Sequence, residues 1–134
     1  MKSYRELTVW QKSYAFVLEV YRETGAFPRS ELFGLTSQLR RAAVSVPANI
    51  AEGYCRDTRA DYVRFLTIAQ GSVGELDTLL SLAHDLAYLD DATAQQLTGL
   101  LAEVRRMLTR LVQSLRASSS RSPGPEPWPP APDP

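Results

Sequence analysis

Between Tyr62 and Ala87 the residues Tyr62, Leu66, Ala69, Val73, Leu76, Leu80, Ala83 and Ala87 follow one another at spacings of 4, 3, 4, 3, 4, 3 and 4. A helix of 3.6 residues per turn gathers such positions into one stripe, whereas a strand scatters them over both faces of a sheet. The run predicts a helix capped by Asp57 or Thr58 and reaching about Tyr88, ~30 residues and ~45 Å long. Phe65, Ile68, Leu79, Leu82, Leu86 and Leu89 form a second stripe beside the first. One stripe serves the core of the subunit, and the other calls for a partner helix or another subunit. Gly71 and Gly74 weaken the helix by up to about 1 kcal/mol each, but their smallness permits close helix approach.

Three further segments follow the same rule. The first runs from about Val9 to Thr24, with Thr8 and Gln11 read as a capping box and Trp10, Tyr14, Val17 and Tyr21 as one face. Val9, Phe16 and Val20 widen that face, and Gly25 and Pro28 end the helix. The second starts near Glu31 and reaches about Glu52, with Leu32, Leu35, Leu39, Ala42, Val46 and Ile50 as its stripe. Pro47 lies inside it, removes a backbone bond and predicts a kinked helix or two short ones. Ser45 and Asn49 flank that proline and are suited to take up a freed backbone group. The last segment follows Asp90 or Asp91, carries Leu97, Leu101, Val104, Leu108, Leu111 and Leu115, and ends near Ala117. The fold predicted is all-α: an antiparallel up-down four-helix bundle with a Pro-kinked second helix, assembling into a symmetric oligomer.

Seven of the nine prolines fall between Pro123 and Pro134. Residues 118–134 therefore read as a disordered Ser/Pro-rich tail after a bundle spanning 1–117. Its Pro127–Pro130 spacing could dock an aromatic groove in polyproline II form, although a tail without a partner is the preferred reading. No apolar run approaches the ~20 residues needed to span a bilayer, and the expected location is the cytoplasm without membrane contact.

The 134 residues carry 15 basic and 15 acidic side chains. That balance excludes a protein that binds nucleic acid or membrane by bulk charge. One cysteine and one histidine exclude a disulfide framework, Cys-based zinc sites and paired-His metal motifs within a subunit. His84 beside Asp85 and Asp77 could be an acid–base residue, but a helix-surface or subunit-contact histidine is the preferred reading. Cys55 could be a nucleophile only beside a base that depresses its pKa, and a small buried or half-buried thiol is the preferred reading. Asp57 and Asp61 at i, i+4 read as a cap and a solvated partner of Arg64 rather than a cation site. No phosphate-binding glycine loop occurs. The expectation is a non-enzyme with no catalytic residue, no metal and no cofactor.

Thirteen of the 15 basic residues are arginine, the residue that pairs bidentately with phosphate and carboxylate. Arg40, Arg105, Arg106 and Arg110 are the candidate phosphate contacts, and a symmetric oligomer would repeat a modest patch around its axis. Solvated or intersubunit ion pairs are the competing reading. Tyr4, Trp10, Tyr14, Tyr21, Tyr54 and Tyr62 could stack on bases, but at helical spacing they read first as core or interface residues.

Read together, ELTVWQKSYAFVLEVYRET, FPRSELFGLTSQLRRAAVSVPANIAEGY and the Tyr62–Leu66 helix with AQGSVGELDTLL resemble the 23S rRNA-intervening sequence proteins over residues 4–117. The specific part is GLTSQLRRAAVSVPANIAEG, Gly34 to Gly53, in which Arg40, Arg41, Ser45, Pro47, Asn49, Glu52 and Gly53 match the family's motif. The resemblance implies a left-handed up-down bundle, a homopentamer, and genes lying within insertions of bacterial 23S rRNA genes or standing alone, with no catalytic residues at the motif. The chain is also similar to the accessory variability determinant of diversity-generating retroelements. That similarity implies a pentameric barrel engaging a reverse transcriptase and nucleic acid. Within the motif, Arg41 is expected to pair with Glu52 or with an adjacent subunit's carboxylate such as Glu75. The function expected is a homo-oligomeric scaffold that binds RNA, DNA or a ribonucleoprotein through arginine patches. The alternative is a protein–protein adaptor binding through its bundle surface or its tail.

Overall fold

A computed structural model describes residues 3–121. Among them there are four helices and no strand: α1 Thr8–Thr24, α2 Leu35–Tyr54, α3 Arg59–Asp85 and α4 Asp91–Arg121. Short 3-10 turns at Tyr4–Glu6 and Arg29–Glu31 precede α1 and α2. α1 packs on α2 and α4, α2 on α3, and α3 on α4, so each helix has two neighbours around a shared core. None of these helices is long and apolar enough to cross a membrane.

The long stripe of α3 behaves as its spacing requires. Tyr62, Leu66, Ala69, Val73, Leu76, Leu80 and Ala83 are all buried, facing Leu39, Val46 and Ile50 of α2 and Leu97, Leu101 and Leu108 of α4 across one core. Its last position, Ala87, lies outside the helix at φ 64°. The Tyr88 amide donates to Ala83 O and the Ala87 amide to His84 O, a left-handed termination that glycine usually supplies. It turns the chain within five residues into α4, where Asp90 Oδ1 accepts the Thr93 amide at 2.7 Å. Thr58 caps α3 in the same manner, accepting the Asp61 amide at 3.1 Å.

Several boundaries differ from the sequence expectation. Thr8 does not cap α1; Leu7 stands at the cap without a side-chain bond, and Gln11 Nε2 donates to Arg5 O at 2.8 Å. The face of α1 turned inward is Val9, Ser13, Phe16, Val20 and Thr24, while Tyr14 and Tyr21 are half exposed. Both faces share the same 4-3 rhythm. The inner one admits Ser13 and Thr24 because their hydroxyls donate to Trp10 O and Val20 O one turn back. Leu32 stands in an exposed turn before α2, which begins at Leu35 after Gly34. Pro47 is buried inside an unbroken α2, so the two-short-helices alternative is not what forms. α4 continues to Arg121, four residues past the expected end near Ala117. The Ser/Pro-rich tail from residue 122 lies outside the described residues.

Candidate nucleic-acid interface

The order of contacts along α2 and α3 places every surface group. Tyr88 OH donates to Glu31 Oε2 at 3.0 Å, Ser45 and Ser72 hydroxyls meet at 2.8 Å, and Gly53 sits against Tyr62 and Phe65. The Arg29–Glu31 turn and the α3–α4 turn therefore occupy one end of the molecule. The α2–α3 turn occupies the other, and Tyr54 and Tyr62 meet there edge to face. Lys12 Nζ lies 3.3 Å from Glu103 and links α1 to α4 midway.

The four candidate arginines occupy different surroundings. Arg40 is half-buried against α1: its Nε donates to Thr24 Oγ1 at 2.9 Å and its guanidinium lies over the Tyr21 ring at 4.7 Å. Arg105 lies 3.5 Å from Asp77 of α3. Arg106 and Arg110, one turn apart on α4, are exposed and make no ion pair among the described residues. The structure thus gives two of the four to contacts between helices and leaves two facing solvent.

Ser45, Asn49 and Gly53 of the motif lie along the α2–α3 seam. Asn49 Nδ2 donates to Ser45 O at 2.7 Å and to Ser45 Oγ at 3.0 Å, and Ser45 turns its hydroxyl to Ser72. The carbonyl freed by Pro47 is that of Ala43, so Asn49 clasps the neighbouring turn rather than filling the gap itself. Arg41 and Glu75 line the same groove of about 380 Å³ with Gln38, Ser45 and Ser72, without an ion pair between them. Glu52 pairs with Arg56 rather than with Arg41. At Gly53 the two helices lie so close that a Cβ there would stand 2.8 Å from Phe65 Cβ and 2.9 Å from Tyr62 Cδ1. Burial pushes the Tyr62 phenol far above its ordinary range, with the nearby Tyr54 adding to it.

A zero net charge conceals a strong polarity. Residues 3–8, 50–64 and 106–118, which hold the chain before α1, the α2–α3 turn and the C-terminal half of α4, carry seven arginines against four carboxylates, a net charge of +3. Residues 20–36 and 82–95 make up the opposite end and carry two arginines against five carboxylates, a net charge of −3 with His84 neutral. At the basic end Arg56 and Arg64 both lie over Phe65, at 4.8 and 4.5 Å from the ring centre. Arg5 lies over Tyr4 and Trp10 at 5.7 and 5.3 Å. Arg56 also pairs with Glu52, and Arg64 Nε lies 3.5 Å from Asp61 Oδ1, so each guanidinium is held by a ring face and a carboxylate together. Neither Arg5, Arg56 nor Arg64 stands out in sequence as a basic cluster; only the fold sets Arg56 and Arg64 over one ring.

His84 belongs to the acidic end. Its Nε2 lies 2.6 Å from Asp91 Oδ1 and its Nδ1 3.4 Å from Asp85 Oδ1. The Asp91 hydrogen bond, reinforced by Asp85, raises its pKa. It borders an open apolar groove of about 520 Å³ between α3 and α4, with Leu80, Ser81, Asp91 and Gly99. No group of three His, Cys, Asp or Glu among the described residues could hold a metal ion. Cys55 is a free thiol that is exposed, not buried or half-buried as expected, because it stands at the C-cap of α2 beyond the last buried residue, Gly53.

No curated protein sequence matches the chain. A solved structure similar to it is a 1.70 Å crystal structure of a protein with unknown function from the S23 ribosomal protein family of Bacteroides thetaiotaomicron VPI-5482. The TM-score is 0.73 at 23% sequence identity, over 78% of this chain and 95% of that one, a likeness that shows the fold. The family model for the 23S rRNA-intervening sequence protein matches residues 5–110, which takes in α1, α2, α3 and most of α4. The chain belongs to the 23S rRNA-intervening sequence protein family.

Proposed function

We propose that this protein is a non-enzymatic scaffold that forms a symmetric homo-oligomer, five subunits favoured, and binds a structured polyanion such as RNA through its basic end. The observation that carries the reading is the separation of charge along the molecule, with Arg106 and Arg110 unpaired on the basic half of α4. Phosphate contacts need guanidinium edges facing solvent, and these two arginines provide them. Arg40 and Arg105 contribute indirectly by fixing α1 on α2 and α4 on α3. A ring of subunits repeats a +3 end several times, which raises a weak contact by multivalency.

Assembly is supported by the outer face of α3. Ile68 of the second stripe is about half exposed midway along α3, while its Leu79 and Leu89 are buried in the subunit. A Cβ added at Gly71 or Gly74, on that outward side, would meet no atom within 4 Å, so their smallness serves nothing within one subunit. The contact order along α2 and α3 supports an antiparallel up-down course, and the missing amide of Pro47 supports a bend in α2.

Nuclease-treated protein, its mass fixed by light scattering, is titrated with labelled structured RNA and duplex DNA at several salt concentrations. The reading expects an oligomer whose affinity falls steeply with salt, by counterion release. A monomer throughout the micromolar range, or an intact oligomer with no low-salt binding, overturns it.

A further inference from the structure

The acidic end carries an uncommon combination of groups. Phe33 is 93% exposed, and Leu32, Leu82 and Leu86 are 47%, 47% and 52% exposed. The Tyr88–Glu31 hydrogen bond and the Phe27–Tyr88 ring contact at 5.4 Å tie the turn bearing Leu32 and Phe33 to the turn that follows Leu86. These four side chains therefore share one end of the molecule. Carboxylates flank them: Glu31 in the same turn, Asp85 next to Leu86, then Asp90 and Asp91. The side chains of Asp85 and Asp91 are 78% and 90% exposed. Water solvates such carboxylates well, but four protruding apolar side chains gain only by being covered.

We infer that this end is a docking surface for a basic amphipathic segment of another protein, which covers Leu32, Phe33, Leu82 and Leu86 and sets its Lys or Arg side chains against Asp85 and Asp91. Charge selects that occupant. A second copy docked symmetrically would bring two −3 ends together. The chain's own basic end has the right sign but carries none of the exposed large apolar side chains, so it offers nothing to pack against Phe33. An amphipathic helix with apolar anchors on one face and flanking cations meets both demands. The surface lies at the end of the molecule opposite the proposed polyanion site, so the two can be occupied together, and each is tested without the other.

The test uses the full chain labelled with nitrogen-15 and two fluorescent 18-residue helical peptides of Leu and Ala, one bearing Lys and the other Glu at the same positions. The inference expects the Lys peptide to bind, the Glu peptide not to, and amide shifts to concentrate at residues 29–36 and 82–92. It expects F33S/L86S, both surface changes, to keep the thermal midpoint and lose about tenfold or more in affinity, and D85N/D91N to weaken binding and its salt dependence. Absence of Lys-peptide binding, equal binding of the two peptides, or shifts centred elsewhere overturns it. A fall in oligomeric mass in F33S/L86S also overturns it, because a second copy would then be the occupant.

Discussion

A methyl group at position 53 would stand 2.8 Å from Phe65 Cβ and 2.9 Å from the Tyr62 ring, both anchored in the most closely packed helix pair. Neither neighbour is a flexible tip, so Gly53→Ala forces α2 from α3. The expected cost is about 1–3 kcal/mol despite the better helix propensity of alanine, read as a lower urea midpoint with an unchanged slope. His84 gives a second prediction at this scale. Its pairing with Asp91 raises its folded-state pKa above the ordinary value of about 6.5. The stabilisation is therefore complete below that ordinary value and is lost as pH rises through the raised one. Thermal melts across the neutral range should show stability declining over that window, and Asp91→Asn should flatten the decline. An imidazole that titrates identically in both proteins by NMR would contradict the pairing.

α2 and α3 form the element on which the motif acts. Ser45, Asn49 and Ser72 make a hydrogen-bonded clasp over the turn that holds Pro47, where the backbone lacks one of its own bonds. Asn49→Ala removes both bonds from a half-buried site and is expected to cost about 1 kcal/mol, with a lowered melting temperature as the readout. The four helices and the inner stripe of α3 were legible in sequence, because long runs at a 3.6 period leave no other structure open to them. Of the inward face of α1, Val9, Phe16 and Val20 were legible but Ser13 and Thr24 were not: apolar spacing favours Trp10, Tyr14 and Tyr21, whereas the core also takes two hydroxyls that are satisfied by their own helix and so cost little to bury. The candidate site was legible only as residue types. That Arg40 lies on Tyr21 and Arg105 beside Asp77, leaving Arg106 and Arg110 free, depends on which helix neighbours which. No local pattern encodes that.

At the scale of the whole molecule, a chain of zero net charge has an excess of three arginines over residues 3–8, 50–64 and 106–118 and an excess of three carboxylates over residues 20–36 and 82–95. Arg56 and Arg64 stand on either side of the α2–α3 turn and meet over Phe65 only because the chain folds back there. Leu32, Phe33, Leu82 and Leu86 stand exposed at the acidic end, so each end has a distinct chemistry for recognition. The central claim is that the basic end engages phosphate, and affinity for one structured RNA at matched salt concentrations tests it most directly, comparing wild type, R106Q/R110Q and D85N/D91N at equal oligomeric mass. Phosphate contacts at Arg106 and Arg110 predict a loss of about tenfold or more in R106Q/R110Q, a salt slope reduced by about 2, and no loss in D85N/D91N. Equal affinity of R106Q/R110Q and wild type would contradict the claim.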